Sequence, residues 1–432
     1  MRAIAFLIGM AAMLPMSMRY PFIGVLLWGW ISFMNPHELV YGFGTSLPWA
    51  YIIFGFMLVG CVVGREPKRL PNTALVWLII AFMVCTSYPQ IFALANPILV
   101  FDKWEFVEKV CLFLLVTAAM VNTRERIHAL IWVMVISLAF YGIKGGAFTL
   151  LTGGSSHVFG PPGTMISDNN QLATGLLTTL PLMNYLRMQS RHRIIRIGFV
   201  VTMVLTLFAV LGSYSRGALL GCGAVAFFFW LRGRNKLISA VAVVLVLGLG
   251  LSFMPAKWTE RMYSIEHYQR DASAEGRLNI WHVTILMAED RPLVGTGFYG
   301  PYTQRIVNLY DPMVQARAVH SIWFEILGEN GIPALLAWAG MSFVTFLNTR
   351  RILKYAKGVE GLAWARDFAL MAQVSMIGFL TAGSFLSMCY WDFYMTLLVV
   401  VGAVWELVRA EVRPRVTAWA PIGASDRLAV SR

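Results

Sequence analysis

Charge is the first scarcity in this chain. Only 13% of its 432 residues are Asp, Glu, Lys or Arg, while 58% are hydrophobic. Ordinary soluble domains carry about 25% charged residues. A soluble core cannot hide this much apolar side chain. Cysteine is also sparse: Cys61, Cys85, Cys111, Cys222 and Cys389 lie in or at the ends of apolar runs, with no CxxC pair. They read as small core residues, which excludes a disulfide framework and a cysteine metal site and leaves the compartment open. No HExxH, GxxxxGK[ST], GxSxG or DxD is present. Without DxD the usual metal–carboxylate grip on a nucleotide sugar is missing, and no metal or other cofactor is expected. The opening MRAIAFLIGMAAML lacks a clear small-residue cleavage site, and further apolar sequence follows at once. It reads as membrane structure and not as a cleaved leader.

What the chain does have is a succession of apolar runs of about 15–25 residues, the length that crosses a bilayer as helix. Mean hydropathy is +0.65. The class is therefore all-α: a polytopic integral membrane protein with short connections and no soluble catalytic module. The net charge of +13 does not point to nucleic acid. Its basic residues cluster between runs, at 64–70, 122–126, 187–196, 232–236, 348–357 and 409–415. That is the positive-inside pattern.

Placing those clusters in the cytoplasm threads the chain. Residues 36–48, 96–104 and 153–170 fall outside. Residues 255–318 form the one long outer connection, between the ninth and tenth spans. Residues 1–35 read as a single kinked or re-entrant passage broken near Pro15 and Pro21. The expectation is about twelve transmembrane helices in one domain over 1–409, with a cytoplasmic tail over 410–432. Gly217-x3-Gly221 offers a small-residue face for close helix contact.

Three polar groups stand out on the outer side. Arg216 lies in GSYSRGALLG (212–221), Arg277 in AEGRLNIW (274–281), and His320 where the long connection re-enters the membrane. An outer arginine runs against the usual charge bias. Around His320, a regular helix would place Phe324, Leu327 and Gly331 on its stripe and Ser321, Glu325 and Glu329 on a neighbouring one. That disfavours a His–Glu pair within the helix, although Gly331 and Pro333 disturb the geometry. Arginine matches phosphate oxygens with a planar fork that stays charged. Histidine takes a proton near neutral pH. Together they suit transfer of a group from a phosphate-containing donor to a hydroxyl. Outside the inner membrane that donor would be lipid-linked.

These residues carry a family resemblance. VHSIWFEILGENGIPALLAW (319–338) resembles the H-[NS]-x-x-[LFW]-x-x-L-x-E-x-G-x-x-G signature of the O-antigen ligase and polymerase superfamily, with Pro333–Ala334 following Gly331 where its last glycine would stand. SYSRGALLG resembles that family's S-R-[GT] element. EGRLNIWHVTILMAEDRPLVGTGFYG (275–300) resembles its R-x3-W … P-[LI]-x-G-x-G element, and GPPGTMISDNNQLA (160–173) its N-x-x-A element. The first half is similar to the amino-terminal region of exosortase-associated O-glycosylation ligases.

The resemblance implies a lipid-dependent glycosyltransferase of the inner membrane with its site facing the periplasm. It implies an undecaprenyl-pyrophosphate glycan as donor and lipid A-core as acceptor, with protein or a growing glycan as alternatives. By the same analogy Arg216 and Arg277 grip the pyrophosphate and His320 activates the hydroxyl. Asn170, Tyr214, Ser215 and Glu275 are candidate substrate-binding residues. Lys103 and Lys109, beside Asp102, Glu105 and Glu108, are expected to form local pairs. His157, His267 and His282 are rival bases. A polyprenyl-glycan transporter is the competing class. It should show polar groups through the membrane depth, whereas here they crowd one face.

Overall fold

The computed structural model describes residues 2–40, 42, 44, 47–232, 237, 248, 250, 252–263 and 272–417. The described chain is helical and contains no strand. Its α-helices are α1 Arg2–Arg19, α2 Pro21–Met34, α3 Trp49–Val63, α4 Ala74–Ser87, α5 Pro97–Met120, α6 Arg124–Leu151, α7 Asn169–Gln189 and α8 Arg193–Gly212. They continue as α9 Arg216–Arg232, α10 Ala256–Tyr263, α11 Ala272–Asp290, α12 Gln304–Val307, α13 Ile322–Tyr355, α14 Ala363–Gly383 and α15 Asp392–Thr417. Most of the expected span 236–254, the basic cluster beyond Arg232, His267 and the tail beyond residue 417 lie outside the described residues.

Helix starts follow local chemistry. Thr73, Asn96, Thr123 and Asp168 each accept a backbone N–H of the helix they open, satisfying donors that no helical carbonyl reaches. Pro97 occupies the first turn of α5 and Pro21 that of α2, where a missing N–H costs nothing. The break in the amino-terminal passage therefore falls at Tyr20–Pro21, while Pro15 is accommodated inside α1. The expected outer loop 96–104 is instead the start of α5. Likewise 255–318 is no open loop, since it carries α10, α11 and α12.

Among the described residues, six helical segments are long and apolar enough to cross a membrane: Arg2–Arg19, Ala74–Phe92, Arg124–Leu151, Arg193–Gly212, Ile322–Tyr355 and Asp392–Val412. Pro21–Met34, Trp49–Val63 and Arg216–Leu231 are apolar but shorter. The expected figure of about twelve counts 1–35 as one passage and also needs the shorter or more polar α3, α5, α7, α9 and α14 to cross, together with the span at 236–254 that lies largely outside the described residues. The exterior is that of a membrane protein. Ile8, Val62, Trp77, Ile98 and Ile194 are each more than 60% exposed, a display that a soluble surface rarely tolerates.

Polar side chains turn inward instead. On α7, Thr174, Thr178 and Thr179 are fully buried, and the last two return their hydroxyls to carbonyls one turn back. α7 packs against α6, α8, α9 and α14. The small-residue face expected on α9 is used: Gly217 lies against Ala382 and Phe385, and Gly221 against Leu177, Ala382 and Gly378. Such close approach matters because lipid offers helices no hydrophobic drive to associate, leaving packing and interhelical hydrogen bonds.

Candidate functional site

The site forms where α13 begins. His320 lies outside that helix, two residues before its first turn, in the left-handed region at φ 51°. The stripe drawn through His320 on a regular helix is therefore corrected: Ser321 occupies the cap position and His320 precedes it. A left-handed non-glycine residue costs about 1–3 kcal/mol and persists only where its surroundings hold it. Three contacts do so. Ser387 Oγ accepts the His320 backbone N–H at 3.0 Å. The Trp281 indole N–H donates to the Val319 carbonyl at 2.7 Å. The Trp281 ring also stacks on Phe324, centroids 5.1 Å apart. Trp281 stands one turn beyond Arg277, so α11 is fastened beside His320 by the R-x3-W element itself.

Two other motif elements fasten to each other. Gly331 interrupts the helical geometry of α13 at φ 76°, ψ −174°. Thr296 and Gly297 donate their N–H groups to the carbonyls of Gly328 and Glu329, both at 2.9 Å, and Ile332 donates to Pro292 at 2.8 Å. A side chain at Gly295 would collide with the backbone of 328–330, and one at Gly331 with that of 292–294. Both residues also have positive φ. Gly295 of P-L-x-G-x-G and Gly331 of E-x-G thus serve one close backbone contact.

Beneath this contact lies a polar network that the sequence did not reveal. Lys103 Nζ bonds Glu325 at 3.1 Å and Glu329 at 2.8 Å, so the expectation of a local pair for Lys103 is overturned. Lys109 does pair locally, with Glu105 at 3.7 Å. Tyr302 donates to Glu325 at 3.0 Å, and Tyr390 and the Tyr299 backbone N–H donate to Glu329 at 3.0 and 3.1 Å. The Cys389 thiol reaches Glu325 at 3.3 Å. The two carboxylates repel each other, and only a cation between them makes their burial affordable. Glu325 and Glu329 thus find their counter-charge more than two hundred residues away in sequence.

Above the network opens a cavity of about 570 Å3. His320, Glu325, Tyr302, Ser387 and Asp392 line it from one part of the chain, and Ser32, Asn35, Asp102, Lys103 and Gln171 from the other. Burial first, then the charges of Arg277 and Arg317, hold the His320 imidazole below the usual histidine range, against weaker opposing pulls from Asp168 and Glu325. A lowered value keeps the ring neutral at pH 7, the form that accepts a proton.

Arg216 is the first residue of α9, and Ser215 Oγ accepts the Ala218 N–H at 3.2 Å at that helix start. Carboxylates favour helix N-termini and cations do not. An arginine there adds to the positive end of the dipole, which suits an anion. Arg317 stands three residues before His320. Its guanidinium occupies the space that a Gly276 side chain would need, which sets it against the turn carrying Arg277.

The other candidates fare unevenly. Tyr214 is buried at φ 59°, and its hydroxyl donates to the Gly154 carbonyl at 2.7 Å. Ser215 serves the helix start. Asn170 bonds Asp168 and Asn169, while its neighbour Gln171 lines the cavity. Glu275 is exposed in the first turn of α11. His157 packs on Tyr214 at 4.4 Å between centroids, and His282 is exposed. Neither lines the cavity.

Residues 201–339, which hold Arg216, Arg277 and His320, match the family model described as O-antigen ligase. Residues 1–191 match a family of unknown function. The 160–173 element falls in this second match and not in the first. No curated protein matches the chain.

Proposed function

We propose, from the premise that residues 201–339 of this chain belong to the O-antigen ligase family, that the protein transfers a glycan from undecaprenyl pyrophosphate to a hydroxyl at the periplasmic face of the inner membrane. The observation that carries this reading is the His320 imidazole, kept neutral beside the cations Arg277 and Arg317 on a cavity wall. A neutral imidazole takes the proton of the attacking hydroxyl. Arg216 and Arg277 stabilise the negative charge left on the departing pyrophosphate. The acceptor is assigned to lipid A-core.

Turnover by purified protein in detergent, with a lipid-pyrophosphate glycan and a core oligosaccharide, tests the transfer. A transporter gives none, because there is no membrane to cross. A deletion strain then tests the acceptor by lipopolysaccharide gel and glycoprotein stain. Loss of the long-chain ladder with accumulation of undecaprenyl-linked glycan supports lipid A-core. An intact ladder with unglycosylated periplasmic proteins assigns the hydroxyl to protein. One repeat unit left on the core assigns it to a growing glycan.

A further inference from the structure

Arg277 and Arg317 act on the His320 imidazole, yet neither lines the cavity that His320 borders. That lining carries Asp102, Glu325 and Asp392 and, among the described residues, no arginine. Lys103 lines it too, held by Glu325 and Glu329, so the anionic character of the wall rests chiefly on Asp102 and Asp392. A pyrophosphate entering the cavity would face carboxylates, and like charges brought together reject a partner. A saccharide would find acceptors for its hydroxyls and the rings of Phe106, Tyr299 and Tyr302 for its apolar faces. The volume falls within the ~300–1,000 Å3 typical of small-molecule sites.

The wall is built firmly. Lys103 Nζ sits 5.1 Å from the ring centroid of Tyr390, 5.3 Å from those of Tyr299 and Tyr302, and 5.5 Å from that of Phe298. Asp392 is held by the Ser32 hydroxyl and by the Phe393 N–H. The lining residues Ser32, Asn35, Asp102, Lys103 and Gln171 all belong to the segment 1–191, whose family has no known function.

We propose that this cavity is the acceptor subsite, that it takes a neutral or amino-bearing saccharide at the reacting end, and that residues 1–191 supply part of the wall that selects it. The assignment to an acceptor rests on the transfer reading above. It follows from His320 lining the cavity, since the hydroxyl that loses its proton must lie within reach of the base. Acceptors with a carboxylate or phosphate on the reacting sugar are refused.

Calorimetry on the full chain in lipid nanodiscs tests this with four probes: maltotriose, the glucosamine trimer, trigalacturonate and inorganic pyrophosphate. Maltotriose and the glucosamine trimer should bind, and trigalacturonate about tenfold more weakly or worse, because charge opposition discriminates by at least that factor. Asp102 is exposed, so Asp102→Lys should fold. It should weaken the glucosamine trimer and strengthen trigalacturonate. Arg216→Ala should lose pyrophosphate binding. Trigalacturonate binding as tightly as maltotriose, displacement of maltotriose by pyrophosphate, or no saccharide binding would overturn the proposal. So would a serine-containing hexapeptide that displaces maltotriose. If the saccharide pattern holds but pyrophosphate binding ignores Arg216 and Arg277, the selectivity stands and the transfer reading alone fails.

Discussion

Ser387 Oγ accepts the backbone N–H of His320 at 3.0 Å, across 67 residues of sequence. The bond pins the left-handed backbone at φ 51° that presents the imidazole. Ser387→Ala should let His320 relax. We expect kcat to fall by about tenfold, the equivalent of one modest hydrogen bond, with little change in donor KM. His320→Ala should fall further, by ~10²–10⁴, with donor binding retained. Equal loss of binding and turnover in His320→Ala would make it a binding residue.

The pH profile reports on Arg317. Nearby positive charge lowers the pKa of an imidazole, so removing it raises that value. The base works deprotonated, and the acid limb of kcat/KM therefore moves to higher pH in Arg317→Gln. Relative to wild type, the variant should lose about two- to threefold more activity at pH 6 than at pH 8. Gly276→Ala should act in the same direction, because its methyl group claims the space of the Arg317 guanidinium. An unchanged acid limb in both variants would detach Arg317 from the base.

Arg216→Ala and Arg277→Ala should each abolish transfer and leave folded protein in the membrane. Lysine should rescue poorly because it lacks the planar fork. EDTA should leave wild-type turnover unchanged. Inhibition by EDTA that a divalent cation reverses would show that the arginines are not the principal counter-charge.

Lys103→Met leaves Glu325 and Glu329 buried together without their cation. Breaking a buried pair in this way costs about 3–5 kcal/mol. A large drop in thermal stability in detergent is expected, and Lys103→Met with Glu329→Gln should recover part of it. A variant as stable as wild type would mean that the network contributes little to the fold.

Topology is open to fusion analysis. Alkaline phosphatase inserted within 255–318 should be active, and fusions at 190 or 353 inactive. Activity at 353 would reverse the threading.

Apolar runs announced most helices, because that signal is local. The opening of α5 stayed hidden because Asp102, Lys103, Glu105, Glu108 and Lys109 depress hydropathy just where the helix starts. Asn96–Pro97, a cap followed by a first-turn proline, was the available sign. His320, Arg216 and Arg277 stood out as candidates because arginines on the outer side run against the usual charge bias and a histidine opens the re-entering span. Lys103, Ser387 and Arg317 were not visible as site residues, since each matters only through a partner distant in sequence. The backbone contact between 292–297 and 328–332 was likewise unreadable as a contact, although its glycines marked both ends.

Because the cavity wall is shared between residues 1–191 and the region after 295, neither half owns acceptor choice. A chimera joined near residue 195 would keep its base and arginines yet face them with a foreign wall. Substitutions at Asn35, Asp102 or Gln171 could redirect which sugar is accepted while the chemistry stays untouched. Acceptor range and reaction type are thus free to diverge at different rates along one chain.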